Sequence, residues 1–313
     1  AAILSVAREG ETELVGFVSG GTFSSAIPEA LCANGFIPKN NGDGTYGVKE
    51  GSYIAKIGEA KYETIADAIT AATANDTVTL LDNVTLTTKA EIAKAITLDL
   101  NGKKLTGKAN MPAAIKEQRM ICVAADGDLT VLDSTVAEGG YGAGELHFEY
   151  INSGSPKYSA GYYLILNNGK LTVKSGKLTA NDNIDVATYG EGDLVYAIEN
   201  RSNGNSAELV IEGGYISVPD HNGQCAVRLY AYDSAEPKYV NKATVSGGVL
   251  DNVYPFCMTV PHQGACFDVN ISGGTFNGYC RLKGDNYGYS KVNITGGAFN
   301  GNAEGFDIQD ANA

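Results

Sequence analysis

Apolar and polar positions alternate along this chain in short runs that recur. Leu209-Val210-Ile211, Val269-Asn270-Ile271 and Val292-Asn293-Ile294 each set apolar side chains two residues apart, and residues two apart share one face of a strand. A small-Gly corner follows each run, and an apolar residue then resumes the inward face. The hexamer apolar-x-(Gly/Ser)-Gly-x-apolar occurs as VSGGTF (18–23), VKSGKL (173–178), IEGGYI (211–216), VSGGVL (245–250), ISGGTF (271–276) and ITGGAF (294–299). LDLNGKKL (98–105) and LTVLDSTV (129–136) are degenerate relatives. From 173 onward the starts lie 38, 34, 26 and 23 residues apart. A constant core at irregular spacing implies loops of varying length on a fixed coil.

A second apolar run follows each corner: YYLILNN (162–168), LVYAIEN (194–200), CAVRLYA (225–231), PFCMTVP (255–261) and YCRLKG (279–284). Two or three short strands per coil predict an all-β fold, a single-stranded right-handed parallel β-helix (solenoid), with the hand set by crossover chirality. Upstream, YETIADAITAATAND (62–76) spaces Ile65, Ala68, Ile69 and Ala72 as one helical face. An amphipathic α-helix near 62–75 would cap the open apolar end of the first coil. The expected organisation is an N-terminal extension over 1–50, resembling a terminal coil plus lid, and a β-helix over 51–313.

The cap-like helix, TVTLLDNVTL, LDLNGKKLTG and the ISGGTF coils together resemble the pectate-lyase-like right-handed β-helices of large secreted and surface bacterial proteins. VSGGTFSSAIPEALCANGFIPKNNGDGTYGVKEG (18–51) resembles what such proteins carry after a final coil. The resemblance covers about 60 to 310 and implies the fold and an extracellular or cell-surface location. It does not imply one function, since lyases, hydrolases, adhesins and phage fibres share the architecture.

Composition agrees with an all-β chain. Of 313 residues 39 are Gly and 18 Tyr, with no Trp, and Asn-Gly or Asp-Gly pairs supply tight turns throughout. The net charge of −13 and pI near 4.7 argue against nucleic acid as a partner, because nucleic acid is met by basic patches. No apolar run is long enough to insert into a membrane as a helix. The six cysteines, Cys32, Cys122, Cys225, Cys257, Cys266 and Cys280, lack CxxC spacing. Aligned second runs put Cys225, Cys257 and Cys280 at nearly equivalent places, with Cys122 close by, which predicts a ladder of packed cysteines rather than a metal site.

No catalytic residues, metal ligands or cofactors are expected. The isolated histidines, His147, His221 and His262, read as surface turn residues without positioned partners. Asp182 and Asp185, with Asp193 nearby, are the one acidic pair that could serve a glycosidase, though Asp terminates strands throughout this sequence. Asp126-Gly127-Asp128 reads as a turn. Arg228 and Arg281 follow the ladder cysteines, and Arg119 and Arg201 lie near corresponding strands, so a shared side would meet anionic sugars. Tyr189, Tyr230 and Tyr232, with Asp182, Asp185 and Arg228, form the candidate ligand set; the wide coils at 137–161, 179–193 and 231–242 would carry it.

The expected function is non-enzymatic, an extracellular structural or adhesive protein. Leu14, Gly16, Val18, Gly20, Gly21 and Phe23 form a donor strand for the acceptor edge at Val292, Ile294, Gly296, Gly297 and Phe299, joining the chain to itself head to tail into a fibre. Return of that strand to its own C-terminal coil, and a cut from a tandem array, are the other readings of 1–50. Other partners would be host or bacterial surface glycans or proteins. The alternatives are a carbohydrate-binding or polysaccharide-degrading β-helix, or a phage fibre component.

Overall fold

The computed structural model describes residues 15–110, 117–136, 140–151, 161–181, 194–218, 225–231, 239–259, 266–282 and 291–301. Leu14, Asp182, Asp185, Asp193, Tyr189, Tyr232, His221 and His262 lie outside them.

The protein is all-β, with long parallel sheets of ten, eight and six strands. Consecutive strands visit the three sheets in rotation. Asp76–Leu80 enters the ten-stranded sheet, Val84–Leu86 the eight-stranded and Ala90–Ile92 the six-stranded; Ala95–Asp99, Lys104–Asn110 and Glu117–Val123 then repeat the circuit. Each circuit, or tier, pairs in parallel with the one before. Leaving out the antiparallel Ala55–Ile57 and Ala60–Tyr62, the ten-stranded sheet holds eight parallel strands, one per tier, as does the eight-stranded sheet.

The period-two pattern sets the burial. Val269 and Ile271 are buried where Asn270 is not, and Ala243 and Val245 repeat this one tier earlier in register. Leu80, Leu98, Val131, Val173, Ile211, Val245 and Ile271 belong to one hydrophobic core. Asn167, Asn200 and Asn241 are the polar exception. Each is 0% exposed. Asn167 Nδ2 donates to Asn200 Oδ1 at 2.6 Å and Asn200 Nδ2 to Asn241 Oδ1 at 2.7 Å, while further Nδ2 bonds reach backbone carbonyls. The amide chain satisfies groups that would otherwise be costly to bury.

The helix is shorter than its periodicity suggested, spanning Ile65–Ala71. Thr64 caps it, accepting from Asp67 N and donating to Asp67 Oδ2, an N-cap hydroxyl held in place by the first-turn carboxylate. At the other end Lys94 Nζ donates to Thr70 O and Ala72 O, a cation on orphaned helix carbonyls. Ile65, Ala68 and Ala72 are buried in the main core at the first tier.

Residues 15–50 have a separate core. Val18, Ile27, Leu31 and Cys32 pack together with Phe23, Phe36 and Val48. Phe36–Asn40 and Tyr46–Glu50 form an antiparallel hairpin. Its turn is held by Asn40 Oδ1 accepting from Gly42 N and Asp43 Oδ1 from Thr45 N. Lys61–Glu29 at 2.7 Å and Lys49–Glu63 at 2.6 Å tie this unit to the chain before the helix.

Three sequence expectations need correction. Glu145–Ile151, assigned to a wide loop at 137–161, is a strand between Lys104–Asn110 and Lys177–Ala180. His147 therefore lies in a sheet, with Nδ1 2.7 Å from Thr179 Oγ1, and not in a surface turn. Cys280 does not join the expected cysteine ladder: Cys257 aligns with Arg281, and that one-residue offset turns Cys280 into the main core.

Candidate functional site

The richest chemistry among the described residues lies on the outer face of the six-stranded sheet. Parallel register puts Cys122, Leu166, Glu199, Arg228, Cys257 and Arg281 in one column across six tiers. Arg119, Tyr163, Tyr196 and Cys225 form the neighbouring column.

Glu199 is the centre. Its side chain is 0% exposed, and Arg228 Nη1 donates to Oε2 at 3.2 Å while Arg201 Nε donates to Oε1 at 2.5 Å. Two-residue spacing places Glu199 and Arg201 on one face of Leu194–Ser202, and parallel pairing brings Arg228 alongside. The guanidinium groups also bond phenols: Arg201 Nη2 to Tyr163 Oη at 3.2 Å, Arg228 Nη1 to Tyr196 Oη at 3.1 Å.

Aromatic faces complete the packing. Arg228 lies 4.9 Å from the Tyr196 centroid and 4.4 Å from that of Tyr230, and Arg201 spans Tyr163 and Tyr230 at 5.3 and 5.6 Å. Cations this near ring faces are attracted by the quadrupole, more strongly when desolvated. Tyr163 and Tyr196 stack with centroids 5.7 Å apart, and Arg281 sits 3.8 Å from the Tyr254 centroid. Burial pushes the Tyr196 phenol up to about 12, against the opposing pull of Arg228.

A disulfide joins Cys225 to Cys257 in this layer, across adjacent tiers. Cys122, Tyr163, Leu166 and Tyr196 belong to the same buried cluster, so Cys122, Cys225 and Cys257 pack in one layer, but Cys225 aligns with Tyr196 while Cys257 aligns with Arg228, and the expected ladder of equivalent cysteines is not formed.

Of the candidate ligand residues, Arg228 and Tyr230 come together. Arg119 shares the face, and Arg201, Arg228 and Arg281 lie on it as the shared-side reading required. Glu199 was missed. Its only sequence signal is the strand-internal Glu-x-Arg of LVYAIENRS, which does not reveal an arginine from the next tier. Also missed was a groove of about 430 Å³ beside Leu86, Gly107, Gln118 and Met120, edged by Lys89, Lys108 and Arg119. Lys89 and Lys108 are engaged there by Glu91 at 2.7 Å and Glu149 at 3.0 Å.

The donor segment meets partners close in sequence. Val18 bridges to Cys32 and Phe23 to Tyr46. Val292, Ile294 and Phe299 pack on the core from the last tier, with Phe299 stacked on Phe276 at 4.7 Å. Among the described residues no three His, Cys, Asp or Glu side chains are grouped to hold a metal ion, and no helix is long and apolar enough to cross a membrane.

A general acid or base must reach a substrate proton, and the Glu199 oxygens are occupied by guanidinium donors. Comparison with protein-family models, curated proteins and solved structures finds no match. Fold and face therefore define an all-β protein of long parallel sheets carrying an Arg/Tyr layer around a buried glutamate.

Proposed function

We propose that the chain is a right-handed parallel β-helix acting as an extracellular structural or adhesive element, not as an enzyme. The layer around Glu199 carries this reading. Its ionisable groups bond one another across tiers, an arrangement that stiffens a scaffold and keeps the Glu199 carboxylate engaged by arginine donors. Rotation of strands among three parallel sheets supports the closed solenoid, and crossover chirality supports the right hand. The Cys225–Cys257 bond supports an oxidising compartment, where disulfides persist. Partners on this reading are further copies of the chain and surface glycans or proteins.

The test is incubation of the oxidised protein with a panel of neutral and acidic polysaccharides, assayed for new reducing ends and for unsaturated uronate products. No turnover is expected. Turnover abolished by Glu199→Gln, or by Asp182→Ala with Asp185→Ala, overturns the proposal. A carbohydrate-binding role is the second reading, favoured by the side chains of Arg201 and Arg228, each still 14% exposed beside the rings of this face. It requires salt-sensitive retention on an acidic polysaccharide.

A further inference from the structure

The glycine corners stack in a way that one of them leaves unfinished. A Cβ added to Gly213, Gly247, Gly273 or Gly296 would lie 2.2, 2.1, 2.2 or 2.3 Å from the carbonyl oxygen of Lys174, Glu212, Ser246 or Ser272, one tier below. These first glycines of each pair do not have positive φ; the second ones do, with Gly214, Gly248, Gly274 and Gly297 at 89°, 83°, 90° and 107°. The first glycine is therefore required by the tier beneath it and not by its own backbone.

Gly20 occupies that position in the corner at 18–23, and a Cβ there would meet nothing within 4 Å among the described residues. The corner is otherwise formed like the rest: Gly21 has φ 108°, against 107° at Gly297. Its upper side is filled. Ala33 N donates to Val18 O at 2.8 Å, and a Cβ on Gly47 would lie 3.0 Å from Gly21 O, as one on Gly274 would from Gly247 O. The lower side is where the match is missing.

Backbone groups tell the same story at both ends. In stacked corners Thr295 N donates to Ile271 O and Ala298 N to Gly274 O, both at 2.8 Å. Ser19 N and Thr22 N, their counterparts in VSGGTF, have no backbone acceptor among the described residues. On the last tier Ile294 O and Gly297 O, counterparts of Ile271 O and Gly274 O, have no backbone donor among the described residues. Val292 and Ile294 are only half-buried, where Val269 and Ile271 are 0% and 1% exposed. Val15 and Phe17, just before the corner, are 63% and 46% exposed.

We propose that the corner at 18–23 of one copy stacks as the next tier on the corner at 294–299 of a second copy. Ser19 N donates to Ile294 O of the second copy, Thr22 N donates to its Gly297 O, and Gly20 lies over its Thr295 O. A second copy is the committed occupant because its last corner has the same residue pattern, the same glycine φ and the two acceptors in register. Donor and acceptor surfaces differ, so the contact is heterologous and extends into an open filament. This rests on the β-helix reading above and gives its self-association a register.

Cysteine cross-linking of the full chain tests the register. Ser19→Cys and Thr295→Cys proteins, mixed under mild oxidation, are expected to give a cross-linked dimer that neither gives alone beyond the wild-type background, and the double variant a ladder of higher species. Gly20→Ala, added to the Ser19→Cys chain, should lower the dimer yield at least tenfold while leaving the melting curve unchanged. Absence of the mixed dimer, an internal cross-link only in the double variant, or full cross-linking with Gly20→Ala overturns the proposal. Those outcomes leave the polysaccharide assay untouched, so loss of the stacking contact and loss of the structural reading are distinguishable.

Discussion

Arg228 donates from Nη1 to Oε2 of Glu199 over 3.2 Å, and the carboxylate side chain it meets has no exposure to solvent. The strands that carry them are adjacent tiers of one sheet, so the ion pair joins segments 29 residues apart. Removing one member of a buried pair leaves the other charge uncompensated. Glu199→Gln is expected to destabilise the protein by about 3–5 kcal/mol, measured by urea unfolding.

The buried amide chain is similarly sensitive. Asn200 donates to Asn241 Oδ1 and accepts from Asn167 Nδ2 and is itself fully buried. Asn200→Ala leaves both neighbours short of a partner, each at about 1–3 kcal/mol. A loss in that combined range by chemical denaturation is expected, whereas Asn293→Ala, on an exposed position of the last tier, should stay within about 0.5 kcal/mol.

Acid stability depends on Glu145. The hydrogen bond from His147, with those of Thr179 and Lys104, outweighs burial and holds its carboxyl down to about 2 against 4.5 for the free group. A depressed folded value means that the contribution is complete above pH 4.5 and is lost as pH falls toward about 2. Stability measured across that window should fall with pH, and Glu145→Gln should flatten the fall.

The disulfide closes a loop of 32 residues. Loop-closure entropy at that length corresponds to about 3–4 kcal/mol. Cys225→Ser with Cys257→Ser should lower the urea midpoint accordingly, and a non-reducing peptide map of the parent should recover the peptides of Cys225 and Cys257 as one species.

Much of the architecture was legible because it is written in short range. Val269-Asn270-Ile271 and the glycines after it specify a strand and a corner without reference to anything distant. The helix was legible from Ile65, Ala68 and Ala72, but its ends were set by the Thr64 cap and the Lys94 contacts, so it is shorter than the pattern. What escaped the sequence depends on register between tiers. Whether Cys280 or Arg281 aligns with Cys257 is a matter of one residue, and the outer face depends on it. The Asn chain shows the same limit: Asn167 and Asn200 end two aligned runs, but Leu229 follows them in register, and the third amide comes from Asn241 on a different sheet. The hairpin at 36–50 escaped because Asn41-Gly42 and Asp43-Gly44 signal turns but carry no mark of the strands they join, Phe36–Asn40 and Tyr46–Glu50.

The bond between Cys225 and Cys257 also has a mechanical meaning. A stack of paired strands pulled from its ends yields tier by tier, each release lengthening the chain by what it had folded away. The 32-residue span between these cysteines would contribute about 110 Å if fully extended. With the bond intact that length is withheld, and a force–extension trace should lack it until a reductant is added.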